Sequence, residues 1–192
     1  MDATPDEALL HAYARGDAAA FTTLYDRHER SLWRFVFRHV RNQAIADDVA
    51  QDVWCKVMDA ASRYVPTAKF RTWLFTIAHH KVIDLARTSR SHASLDVADE
   101  GEASLYDSLA AESRLGPLRQ IQTLQQGAAL LRAVEQLPAA QKEVFLLQAE
   151  GEMSVEEIAA ATGTNFETAK SRLRYARNAL RTLLADFSDV AA

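Results

Sequence analysis

The segment TAKSRLRYARNALRTLL, residues 168–184, carries Lys170, Arg172, Arg174, Arg177 and Arg181 and no acidic side chain, within a 192-residue chain of formal net charge −4. Such a cluster is suited to pairing with phosphates, and arginine can also form a bidentate hydrogen-bonded pair with guanine in the major groove. A second basic cluster, Arg63, Lys69, Arg71, Lys81, Arg87 and Arg90, is offset by Asp84 alone. Acidic stretches separate the two. Residues 91–127 hold Asp96, Asp99, Glu100, Glu102, Asp107 and Glu112 against Arg114 and Arg119, and residues 143–157 hold five glutamates and no base. Two basic patches set apart in this way suggest a polyanion held at two places.

Catalytic chemistry has much less to build on. His80 and Asp84 have the i, i+4 spacing of metal ligands, with His79 beside them. The other histidines, His11, His28, His39 and His92, show no paired spacing that completes such a site, and there is no glycine-rich phosphate loop or nucleophile elbow. We expect no enzyme, no cofactor and no metal site. The single cysteine, Cys55, excludes an internal disulfide and a thiolate cluster. It is expected to be a small apolar filler on a helix.

Helices must position these groups. Six glycines and four prolines disfavour hairpin arrays, and alanine, leucine, arginine and glutamate dominate. The reading is all-α. No apolar stretch is long enough to span a membrane and no secretion signal is present, so a cytoplasmic protein without membrane insertion is expected. From Asp6 to Arg90 apolar residues recur at helical spacing, with a break at Gly16 and Asp17 as an N-cap candidate. Residues 44–61 and the run KFRTWLFTIAHHKVIDLAR, on either side of Pro66, read as further helices. Residues 91–127 are rich in serine, alanine and acid and read as a flexible acidic linker, with transient helix over 104–113 or 118–127. Two small helical domains, 6–90 and 128–186, follow.

In the second domain, Pro138 suits a first helical turn. Ser154 and Glu157 form a capping-box pattern, Gly163 is a C-cap, and Thr164 or Asn165 caps the basic helix. A short capped helix, a tight turn and a basic helix make a helix-turn-helix. Ala169, Leu173, Ala176, Leu180, Leu183 and Leu184 share its inward face, leaving Lys170, Ser171, Arg174 and Tyr175 opposite and Arg177 and Arg181 continuing the stripe. This is a recognition helix aimed at duplex DNA, its N-terminal residues facing base edges and its later arginines the backbone.

The segment LPAAQKEVFLLQAEGEMSVEEIAAATGTNFETAKSRLRYAR resembles the C-terminal DNA-binding region of sigma-70 family factors in their short extracytoplasmic-function (ECF) form. ARGDAAAFTTLYDRH, AIADDVAQDVWCKVMDA and FRTWLFTIAHHKVIDLAR are similar, in that order, to the family's N-terminal region. The resemblance implies a transcription initiation factor that binds core RNA polymerase, through the β′ coiled coil and β, and directs it to promoters. It assigns polymerase docking to Asp47, Asp48, Gln51 and Asp52, which share one helix face. It assigns −35 recognition to Thr168, Lys170, Ser171, Arg172, Arg174, Tyr175 and Arg177. The −10 element falls to Lys69, Arg71, Trp73, His80, Lys81 and Arg87, where cations alternate with the aromatics Tyr64, Phe70 and Phe75, as a held single strand requires. Trp73 has core spacing as well. An anti-sigma factor is a further partner class the family implies.

Two departures change what can be inherited. His80 stands where the family usually has asparagine, and SRLRYAR replaces the usual SRL.RAR, so the DNA sequence read is not transferable from a relative. The rival reading is a free-standing helix-turn-helix regulator that binds an operator, in which the N-terminal domain would serve dimerisation or a ligand.

Overall fold

Local capping chemistry decides where the helices begin and end. The computed structural model describes residues 4–91 and 127–189. Helix α1 (Asp6–Ala14) stops before Gly16, whose φ of 102° favours glycine, and the Asp17 carboxylate then accepts from the Ala19 and Ala20 amides to start α2 (Ala18–Val40). Asn42 caps α3 (Gln43–Ala60) by accepting from the Ile45 amide at 3.1 Å. A 3-10 turn at Ala61–Arg63 and the Pro66 loop lead into α4 (Phe70–Ser91). The second half contains α5 (127–135), α6 (Ala139–Ala149), α7 (Val155–Thr162) and α8 (Phe166–Asp189). No strand occurs among the described residues, as expected of an all-α chain. Pro138 sits at the N-cap of α6, one position before the expected first turn, where its missing amide is equally harmless.

In the first half Leu24, Leu32, Phe35 and Val36 of α2 meet Val53 and Val57 of α3 and Leu74, Phe75 and Ala78 of α4, all fully buried. In the second half Ala133, Val144, Leu147, Ile158, Ala169 and Ala176 close around the helix-turn-helix. Cys55 is a correction, because it is exposed. The inward face of α3 is taken by Val49, Val53, Trp54 and Val57, and residue 55 lies about 200° round the helix from Val53. Of the linker, only residues 91 and 127 are among those described, each at a helix end, so the expectation for 104–113, and that for 118–127 apart from residue 127, fall outside them.

The two halves touch. Phe75 of α4 lies against Gly151 in the α6–α7 turn, where a Cβ would stand 3.1 Å from the Phe75 ring and 2.5 Å from the Leu147 carbonyl oxygen. Phe75 also meets Phe35 edge-on, with ring centroids 5.4 Å apart. Only glycine permits this approach.

Candidate nucleic-acid and polymerase interfaces

The helix-turn-helix is built by its caps. Ser154 Oγ accepts from the Glu157 amide at 3.2 Å, and Glu157 Oε2 accepts from the Ser154 amide at 2.8 Å. Gly163 ends α7 at φ 63°, and Asn165 Oδ1 accepts from the Thr168 amide at 2.8 Å to open α8. Ala169, Leu173, Ala176 and Leu180 are buried, while Leu183 and Leu184 pack at the edge of the core. Lys170, Arg174, Tyr175, Arg177 and Arg181 are exposed, and Thr168, Ser171 and Arg172 sit half-buried on the shoulder. The Arg174 guanidinium lies 5.1 Å from the Tyr175 ring centre, a cation–π contact that holds both side chains outward. Arg177 donates to Gln148 Oε1 at 2.6 Å. Arg172 inclines the other way, its charge acting on Glu143 of α6. Phe166, which the sequence reading passed over, is exposed at the start of α8 with the Lys170 ammonium 5.5 Å from its ring centre. Its signal was an apolar residue directly after the cap, on the same side as Lys170.

Asp47, Asp48, Gln51 and Asp52 are all exposed on the outer face of α3, opposite fully buried Val53 and Val57. Asp47 accepts from the Trp33 indole at 2.6 Å, and Asp52 accepts from Lys81 at 2.6 Å. Lys81, assigned to DNA, is therefore tied to the docking stripe. The remaining residues of the −10 group diverge. Lys69, His80 and Arg87 are exposed. Trp73 is half-buried against Tyr64, at 4.8 Å between ring centres, and Phe70. Phe70 and Phe75 are fully buried and Tyr64 is buried, so none of these three presents a ring to a strand in this arrangement. Arg71 points into the seam between the halves, donating to the Glu150 carbonyl at 2.6 Å and pairing with Glu152 at 3.2 Å.

His79 and His80 do not act together. His79 is buried with Nε2 2.7 Å from Glu143 Oε1, whereas His80 is exposed. Among the described residues no group of three or more histidine, cysteine or acidic side chains is placed to hold a metal.

The seam also sets the electrostatics. Burial lowers the His39 imidazole from its ordinary 6.5 to about 4, the Lys142 and His79 charges add to this, and the hydrogen bond to the Phe35 carbonyl and the Glu143 charge oppose it. Burial would raise Glu143, but the His79 hydrogen bond and the surrounding cations outweigh it and hold the carboxyl below its ordinary value. Glu157 is also held low, first by the Thr72 hydroxyl at 2.7 Å. Because folding depresses the His39 pKa, its contribution is fully present above about pH 6.5 and is lost as pH falls towards about 4. The loss is expected to be about 2–3 kcal/mol. Glu143 and Glu157, also depressed, add their losses only below their ordinary range. Denaturant unfolding at stepped pH checks this, and His39→Asn is expected to flatten the slope between pH 6.5 and 4.

The fold defines a helical protein in which a helix-turn-helix carries an exposed cationic helix, joined to a helical block with an acidic face. Residues 24–92 match the family Sigma-70 region 2, and residues 127–180 match Sigma-70, region 4. The chain is 30% identical over 184 residues to the RNA polymerase sigma factor NccH of Alcaligenes xylosoxydans xylosoxydans, covering 95% of this chain and 96% of that one. It is 32% identical over 184 residues to the ECF RNA polymerase sigma factor SigL of Mycobacterium tuberculosis, covering 93% and 97%. Among solved structures it is similar to CnrH in complex with the cytosolic domain of CnrY, with a TM-score of 0.63, 25% identity and coverage of 94% and 97%. The chain belongs to the sigma-70 family as an ECF sigma factor.

Proposed function

We propose that this protein binds core RNA polymerase and directs it to specific promoters, with residues 128–186 reading the −35 duplex and residues 6–90 docking on polymerase and holding the −10 element as it melts. Residues 91–127 join the two parts. The observation that carries this division is the pairing, in one chain, of an outward cationic face on α8 with an outward acidic face on α3. One face suits phosphates and base edges, the other a basic protein surface. In this reading Lys170 and Arg177 hold the backbone and Arg174 reads a base, and the free factor binds DNA weakly until polymerase brings both patches onto one promoter. Asp48 and Gln51 face the polymerase β′ coiled coil, and an anti-sigma factor is a partner of the free form. The protein acts in the cytoplasm as an initiation factor and not as an enzyme. No helix among the described residues is long and apolar enough to cross a membrane.

The test is retention of core polymerase on the immobilised protein, followed by initiation from discrete genomic sites that core polymerase alone does not use. Tight, sequence-specific DNA binding by the isolated protein, without polymerase retention, would instead revive the operator-binding regulator. Within the holoenzyme, Arg174→Ala is expected to cost about 1–3 kcal/mol at the preferred promoter and to relax selection at one position. Arg177→Ala is expected to weaken all duplexes about equally. Competition binding over a set of single-base promoter variants separates the two.

A further inference from the structure

Lys69 stands directly before Phe70, the first residue of α4, and its carbonyl accepts from the Trp73 amide at 3.1 Å. Its side chain has donors only, so it satisfies none of the orphan amides of the first turn, and its charge opposes the helix dipole. The acceptor comes instead from a separate helix. Glu7 Oε1 of α1 accepts from the Phe70 amide at 2.7 Å, across 63 residues. Asp17, Asn42, Ser154 and Asn165 cap their helices locally. Any of those residue types at position 69 would replace an exposed cation of the −10 group, whereas a cap supplied from α1 keeps it. Helix α1 is itself pinned. Asp6 accepts from Arg27 at 2.7 Å and lies 2.6 Å from Nε2 of buried His28, whose ring centre is 5.4 Å from that of Phe70. One turn beyond Glu7, His11 meets the Tyr64 ring, with centres 5.9 Å apart, and Tyr64 donates to the Ala68 carbonyl at 3.3 Å. Helix α1 therefore holds both ends of the 64–69 turn.

We propose that Glu7 is a positioning residue for −10 recognition: by capping α4 from α1 it fixes the 64–69 turn, so that Lys69 meets the melted promoter strand at one set place. A turn held before the strand arrives need not be ordered by it, and the affinity is higher by that cost. The inference deepens the initiation-factor reading and rests on it for the identity of the strand. It extends the −10 site to a residue outside the segment 24–92 that matches Sigma-70 region 2.

The test uses the full chain assembled with core polymerase and single-stranded oligonucleotides carrying each strand of the −10 region of the promoter it uses best. Glu7→Ala is expected to weaken binding of the recognised strand about tenfold, the worth of one capping bond. Affinity for a −35 duplex fragment and for core polymerase should not change. Glu7→Gln, whose side-chain oxygen can accept from the same amide, should stay within about twofold of wild type. Lys69→Ala should weaken the strand in the wild-type background and cost less once residue 7 is alanine, because the two act as a unit. In the free protein, hydrogen exchange at the Phe70 amide reads the cap without DNA, and should be faster in Glu7→Ala but not in Glu7→Gln. If Glu7→Ala does not fold, Glu7→Asp, one methylene shorter, takes its place. Unchanged exchange overturns the cap. Retained polymerase with unchanged strand affinity, or with equal loss in Glu7→Gln, overturns the positioning role. Loss of strand, duplex and polymerase binding in step overturns it too, since that marks a general fault in the fold. If exchange behaves as expected and no form retains core polymerase, the initiation-factor reading fails and the cap alone stands.

Discussion

Replacing Asp48 and Asp52 together by lysine is expected to lower affinity for core polymerase by about 100-fold or more, since like charges placed across an interface cost several kcal/mol. Both side chains are exposed on the outer face of α3, and the buried face of that helix is left intact. The change does break the Asp52–Lys81 pair, but Asp52 is 61% exposed there, and such pairs contribute little to folding. The melting temperature should therefore stay close to wild type while the competition curve for core polymerase shifts. Asp47 is a poorer choice for this experiment, because it accepts from the Trp33 indole and its loss would also release that ring. Unchanged affinity in the double variant would remove α3 from the docking surface.

Phe75→Ala is expected to cost about 3–5 kcal/mol of stability. The ring is fully buried, packed edge-on against Phe35 and closed on its other side by the Gly151 turn. Neither neighbour is free to collapse into the space. Phe35 is itself fully buried, and the turn is held by the Glu150 amide donating to the Leu146 carbonyl at 2.9 Å. Against a typical stability of about 5–15 kcal/mol, such a loss leaves a marginal fold. Phe75→Leu, which refills most of the volume, should cost about 1.5 kcal/mol or less. Urea unfolding of the three proteins measures this. A small effect for alanine would mean that the seam around Phe75 is open in solution.

Much of this was legible in the sequence because it is local. Asp17, Asn165, Ser154 with Glu157, and Gly163 each satisfy or end a backbone within four residues of themselves, so their roles depend on no distant partner. The inward face of α8 was legible for a related reason: Ala169, Leu173, Ala176 and Leu180 recur at the helical period, and a helix with one apolar face has one way to turn. The stripe Asp47, Asp48, Gln51 and Asp52 follows from the same period on α3. Cys55 misled because a small apolar residue carries little information about facing, and the burial of its neighbours Val53, Trp54 and Val57 turned it outward.

What only the tertiary structure decided is which element each face meets. The charge pattern already held a basic run over residues 63–90 and five glutamates over 143–157, but the first was read against an external polyanion and the second only as an acidic stretch between two basic patches. Nothing in the spacing of Arg34, Arg71 and Glu150, separated by as many as 116 residues, states that they share a seam. The depression of His39 has the same origin, since it depends on burial beside Lys142 and Glu143 from the other half. Helical periodicity specifies a direction relative to the helix's own axis; the partner found in that direction depends on how the helices pack, and that is set by the shapes of Phe35, Phe75 and the one glycine that lets them close.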